Sequence, residues 1–95
     1  MHFSHWYPWG TMIYARFVIP DGGDTERGVE LHDRVWDDGV EAVFATGGVI
    51  NDHHGVGLKL APYMERQHGK SLDTLRRVKA ALDPNGIMNP GKLGL

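Results

Sequence analysis

The chain contains no cysteine. That excludes disulfide scaffolds, zinc–thiolate sites and cysteine nucleophiles, and it leaves the redox compartment unread. No apolar run approaches the ~20 residues that a membrane span requires. The opening residues, Met1-His2-Phe3-Ser4-His5-Trp6, lack the basic start and apolar centre of a secretory signal. The last four, Lys92-Leu93-Gly94-Leu95, are not a peroxisomal address. A cytoplasmic location is the resulting expectation. Charge of one sign is also scarce: the formal net charge is −2, with acids and bases interspersed. A nucleic-acid footprint needs a concentrated basic patch. Arg76, Arg77 and Lys79 form only a short basic stretch, which reads as a solvated helix face.

What is present is an ordinary globular composition, 41% apolar and 23% charged over 95 residues. That length suffices for one small domain at most. Residues 1–7 and 12–19 are aromatic and β-branched runs separated by Pro8-Trp9-Gly10, which predicts two strands joined by a tight connection. The second run is apolar at most positions and is expected to be buried on both faces. The aromatics Phe3, Trp6, Trp9, Tyr14 and Phe17 read as core or as the wall of a substrate cavity. Pro20-Asp21-Gly22-Gly23-Asp24 has turn chemistry.

Thr25 is a candidate cap for a helix carrying Val29, Val35, Trp36, Val40, Val43 and Phe44 at helical spacing. Gly47-Gly48 closes it, and Val49-Ile50 is expected to form a short strand. A short helix interrupted by Pro62 is expected between Leu58 and Gln67. Ser71 is the expected cap of a last helix, with Leu72, Leu75, Val78, Ala81 and Leu82 along one face and Asp83-Pro84 as its stop. The order predicts an α+β fold, antiparallel strands with helices packed on one face, over a single stretch 1–95.

Two segments carry chemistry. Gly47-Gly48-Val49-Ile50-Asn51-Asp52-His53-His54-Gly55-Val56-Gly57-Leu58-Lys59 sets two adjacent histidines in a glycine-rich loop. Glycine lets the backbone bend and a ligand approach it closely, and histidine changes charge near neutral pH. A locally bonded histidine pair or a metal pair is the alternative reading of the same residues. Leu82-Asp83-Pro84-Asn85-Gly86-Ile87-Met88-Asn89-Pro90-Gly91-Lys92-Leu93 is a helix stop followed by a rigid tail.

Together these segments resemble the C-terminal end of the FAD-linked oxidases of the vanillyl-alcohol oxidase type. There a His-Gly-(Ile/Val)-Gly loop precedes a helix and a closing signature that matches Leu82 to Lys92. The His-His-Gly-Val-Gly run is similar to that of the alkyldihydroxyacetonephosphate synthases. The resemblance implies FAD as cofactor, held with an upstream FAD-binding domain, and a small-molecule or lipid-like substrate. It implies an exchange of an ester-linked fatty acid for a fatty alcohol, without net redox. On this reading the chain is the C-terminal piece of a longer enzyme, inactive by itself.

The resemblance also assigns residues. His53 and His54 are the implied acid–base groups, and proton abstraction beside a carbonyl suits a group titrating near the working pH. The synthases have a third histidine where this chain has Asp52. A carboxylate there favours the charged form of a neighbouring imidazole. Tyr7, before a turn and a strand, falls at the position of the synthases' active-site tyrosine; a core aromatic is its alternative. His54 and Asn89 are the implied flavin neighbours, and a rigid C-terminal clamp is the alternative for Asn89. Lys59 and Arg16 are weaker candidates for a phosphate, and His2, His32 and His68 read as surface residues.

No metal is expected. Related 2-hydroxyacid dehydrogenases hold a divalent ion with two histidines and a glutamate. At those positions this chain has His5, Met12 and His53, and methionine is a poor ligand for such ions. Two other readings stand beside the synthase: an FAD-linked oxidase or dehydrogenase of a hydroxyacid or alcohol, and a non-catalytic remnant acting in binding or as a homo-oligomer.

Overall fold

The structure, a computed structural model, describes all residues from Met1 to Leu95. It divides into two compact units, Met1–Gly48 and Val49–Leu95.

The first unit begins with an antiparallel ribbon, β1 (His2–Tyr7) and β2 (Gly10–Tyr14). Phe3 pairs with Ile13, Ser4 with Met12 and Tyr7 with Gly10. A bulge lies between Ser4 and Trp6, where His5 takes a φ of 55°. Such a bulge leaves one residue out of the ladder. The expected second strand is shorter than 12–19: pairing starts at Gly10 and stops at Tyr14. β1 begins at His2, opposite Tyr14, so residues 15–19 have no facing strand.

Nor is that run buried. Ile13, Phe17 and Val18 are exposed, and Trp6 and Trp9 are 77% and 84% exposed. The expected aromatic core is therefore absent from this unit, because a two-stranded ribbon has too little surface to cover its own side chains.

Helix α1 (Thr25–Ala45) follows. Its cap is Asp24, one residue before the expected Thr25. The Arg27 N–H donates to Asp24 Oδ1 at 3.1 Å, and an aspartate accepts such a bond as well as a threonine does. The helix ends as expected at the glycine pair. Gly48 N–H donates to Val43 O at 2.9 Å and Gly47 N–H to Phe44 O at 3.1 Å, with Gly47 at φ 73°. This is the Schellman arrangement, in which a left-handed residue lets the last carbonyls be satisfied. Within this unit α1 is met by the segment after β2 and has no close packing on the ribbon. Gly28 explains the approach: a Cβ there would stand 3.1 Å from Asp21 Cβ.

The second unit is held by buried Leu60, Met64 and Leu72. Val49-Ile50 forms no strand. Ile50 N–H donates instead to Gln67 Oε1 at 3.1 Å, so a side chain replaces the ladder partner. The interrupted helix is a 3₁₀ turn (Ala61–Tyr63) with Pro62 near its start, then α2 (Met64–His68). Helix α3 (Ser71–Leu82) starts one residue earlier than a Ser71 cap requires, with Lys70 at the cap position and no side-chain bond there. A second 3₁₀ turn, Lys92–Gly94, packs against the first and against α2. The α+β class with antiparallel strands is the class of this chain. No helix is long and apolar enough to cross a membrane.

Candidate active-site loop and closing tail

Asp52, His53 and His54 follow one another on an exposed loop of the second unit. His53 Nδ1 lies 3.2 Å from Asp52 Oδ2. If Nδ1 carries the proton, Nε2 is the basic nitrogen of that ring. The His53 and His54 rings meet edge to face at 4.4 Å between centroids. The two sequence-predicted histidines are thus brought together, with the carboxylate that stands where a third histidine was expected. Gly55 and Gly57 follow at φ 77° and 59°, and a Cβ at either would meet nothing within 4 Å. These glycines serve the backbone conformation and leave open space beside it.

The tail returns to this loop. Leu93 N–H donates to Gly57 O at 3.3 Å. A Cβ on Gly91 would touch Leu58 Cδ2 at 3.4 Å, and one on Gly94 would crowd Ala61 O at 3.1 Å. The histidine loop and the closing signature, far apart in sequence, are neighbours in this unit.

The root of the tail is built on Asp83. Its side chain is only 4% exposed. Ile87 N–H donates to Oδ1 at 3.0 Å and Met88 N–H to Oδ2 at 2.9 Å. Lys79 Nζ donates to the same carboxylate and also to Met88 O at 2.7 Å. The Lys79 hydrogen bond, followed by that from the Met88 amide, holds the Asp83 carboxyl below its ordinary range. Sequence reading took Asp83 only as a helix stop. The Lys–Asp pair four residues apart at a helix end was the available signal.

Asn89 follows at φ 47°, exposed, with its carbonyl accepting from Lys92 N–H at 3.2 Å. It lines a shallow groove of about 280 Å³ with Lys79, Leu82, Met88 and Lys92. Asparagine tolerates the left-handed region better than most residues.

Tyr7 belongs to the first unit. It ends β1, partly exposed, and stacks on Trp9 at 5.4 Å with ring planes 3° apart. It is not a core aromatic. His5 Nδ1 lies 3.1 Å from Ser4 Oγ. Arg16 sits with its guanidinium 5.9 Å from the Tyr14 ring centroid, on an exposed stretch. Lys59, His2, His32 and His68 are exposed.

Residues 1–93 match the family described as FAD linked oxidases, C-terminal domain. The chain belongs to that family. It is 34% identical over 93 residues to an alkyldihydroxyacetonephosphate synthase of Trypanosoma brucei brucei, covering 97% of this chain and 15% of the relative. It is 32% identical over 95 residues to the Dictyostelium discoideum enzyme of the same name, with the same two coverages. A mitochondrial D-lactate dehydrogenase [cytochrome] of Arabidopsis thaliana is 44% identical over 55 residues, 57% of this chain and 10% of the relative. No solved structure matches the chain. It therefore spans about one-seventh of the synthases' length. FAD is the group the family implies. An exposed imidazole and an exposed carboxamide are a donor set suited to the polar edge of a flavin ring, and the open space beside Gly55 and Gly57 is compatible with a planar ligand near the backbone.

Proposed function

We propose that this chain is the C-terminal part of an FAD-dependent enzyme similar to alkyldihydroxyacetonephosphate synthase. The observation that carries this reading is similarity to two such synthases over 97% of the chain. The paired histidines of the glycine loop support it. The reaction so proposed exchanges an ester-linked fatty acid for a fatty alcohol on a phosphate-bearing three-carbon backbone. Bound flavin would supply an electrophilic centre that no side chain here possesses, without net redox.

This chain's share is placement and proton transfer. His53 Nε2 takes a proton from carbon beside the substrate carbonyl and returns it after the exchange, with Asp52 holding the other ring nitrogen. His54 packs on His53 and orients it, and with Asn89 it would hold the flavin. The Tyr7 hydroxyl hands a proton to the departing carboxylate and regains one from the incoming alcohol. A positioned acid or base contributes roughly 10²–10⁴ in rate. In the flavin-loaded enzyme carrying this segment, His53→Ala and Tyr7→Phe are each expected to lower kcat by about that factor with flavin still bound. Transfer of a labelled fatty alcohol is the assay, and wild-type rates in both variants refute the assignment.

A second reading rests on the 44% identity to the D-lactate dehydrogenase: an FAD-linked oxidase or dehydrogenase of a hydroxyacid or alcohol. Anaerobic mixing separates the two. Bleaching of the flavin by a 2-hydroxyacid supports the dehydrogenase. An unbleached flavin with fatty-alcohol transfer supports the synthase.

A further inference from the structure

We propose that Asp83 and Lys79 are positioning residues: they root the closing tail so that it holds Asn89 in its left-handed turn and steadies the Gly57 end of the histidine loop. The connection to a reaction rests on the reading of Asn89 and His54 given above, but the mechanical part stands on its own geometry.

Asp83 is one of the few buried side chains of the chain and its only buried carboxylate. A buried charge is tolerated only when it is paired and hydrogen-bonded. Here both oxygens are used, by Ile87 N–H, Met88 N–H and the Lys79 ammonium. Lys79 makes a second contact to the Met88 carbonyl. Met88 is therefore gripped through both of its backbone polar groups, one in each of the peptides that flank its Cα. Asn89 is the next residue, and its own carbonyl is tied to Lys92 N–H. The left-handed conformation of a non-glycine residue persists only where the surroundings impose it. Asn89 at φ 47° is bracketed by such restraints on both sides. Beyond it the chain reaches Leu93, also left-handed at φ 61°, whose N–H ends on Gly57 O. Gly57 lies three residues after His54, on a loop whose glycines offer it little stiffness of their own.

The test is amide hydrogen exchange on the full protein carrying residues 1–95, comparing wild type with Asp83→Ala, Lys79→Ala and Lys79→Arg. Removing one end of a charged hydrogen bond is expected to speed exchange at Ile87 and Met88 about tenfold or more. The decisive amide is Leu93, which touches neither Asp83 nor Lys79. Faster exchange there in both alanine variants, with protection restored by arginine, is the expected result. Unchanged Leu93 protection in Lys79→Ala overturns the proposal, and this milder variant decides the matter if Asp83→Ala fails to fold. A loss of protection spread evenly over α3 and Met64 also overturns it, since that is general destabilisation. Flavin affinity of Asn89→Ala tests the separate reading: an unaltered affinity removes Asn89 from the flavin and leaves the tail's role to be judged by Leu93.

Discussion

Leu72→Ala is the sharpest test of how the second unit is held together. Leu72 and Met64 are each 1% exposed, and they are the most deeply buried side chains of the chain. Truncation to alanine removes three carbons from a dry site. At ~0.8 kcal/mol per buried methylene the transfer part is about 2.4 kcal/mol. A residual cavity raises the total to about 3–5 kcal/mol where the walls do not collapse. The surroundings here give little room for relaxation. Leu60 and Met64 come from a short turn and a five-residue helix whose backbone is already tied to the tail at Ala61 and Gly57. At ~2.1 cal/mol/K per residue the unfolding entropy of the unit Val49–Leu95 is roughly 0.1 kcal/mol/K, so about 3 kcal/mol corresponds to a fall in Tm of roughly 30 °C. The assay is differential scanning calorimetry with hydrogen exchange read over Met64–Leu82. Tryptophan fluorescence is a poor choice, because Trp6, Trp9 and Trp36 all lie in the first unit. Val78→Ala, on the same helix but half exposed, is the control and is expected to cost well under half as much. Equal effects of the two substitutions refute the claim that Leu72 is the centre of this core.

Acid should loosen the tail before it unfolds α3. The Asp83 carboxyl is held below its usual range, chiefly by Lys79, so its contribution is fully present above the unfolded pKa of about 4. It is lost as pH falls through the lower folded value. Amide protection at Ile87 and Met88 is thus expected to be flat down to roughly pH 4 and then to drop, and Asp83→Asn should abolish that dependence. Gly57→Ala meets open space but needs φ 59°, so its expected cost is the backbone penalty alone, about 1–2 kcal/mol, read by calorimetry. Gly10→Ala, in equally open space without that φ, is the comparison and should be near neutral. Arg76→Ala should leave Tm unchanged within error. Its hydrogen bonds to Glu65, at 2.7 Å, and Asp73, at 3.0 Å, raise its pKa, but they lie on a solvated surface where such pairs contribute little.

Local signals in the sequence are legible where one residue decides one geometry. Gly47-Gly48 closed α1 because a left-handed residue is needed there and only glycine takes it freely. Gly69, at φ 51° and ψ −133°, follows α2 in a backbone region that glycine takes most readily. Asp83-Pro84 stopped α3 at Leu82. The caps lie one position from the expected residues, since Asp24 and Thr25 are both competent and the sequence does not show which side chain faces the first free amides. The second strand was overextended. A nearly continuous apolar run over 12–19 says that a segment can pair, but the ribbon offers a partner only as far as His2 opposite Tyr14. Burial of the aromatics was inferred from their type. Type records a tendency, whereas burial needs a covering surface, and this unit supplies none for Trp6 or Trp9. The family was legible in two short motifs. Asp83 as the centre of the tail is legible only in part: the Lys79–Asp83 spacing is a signal, but Ile87 and Met88 act through backbone amides that no side-chain pattern reveals.

The two motifs gain meaning from being joined. On the proposed reading the histidine pair must hold a reactive geometry, and a glycine-rich loop is a poor platform for that, since each glycine adds backbone freedom. A site one ångström too loose loses most of its catalytic advantage. The tail answers that difficulty without adding bulk near the histidines. It takes its fixed point from α3, through a buried aspartate that grips two amides. It passes through Asn89 and Pro90, whose ring limits φ, and delivers one hydrogen bond to Gly57 and close contacts to Leu58 and Ala61. The loop can then keep glycines where open space is wanted and borrow its stiffness from elsewhere. On this view the closing signature and the histidine loop are one device. Substitutions at Asp83, remote in sequence from His53 and His54, should register at the Leu93 amide before they register in the melting of α3.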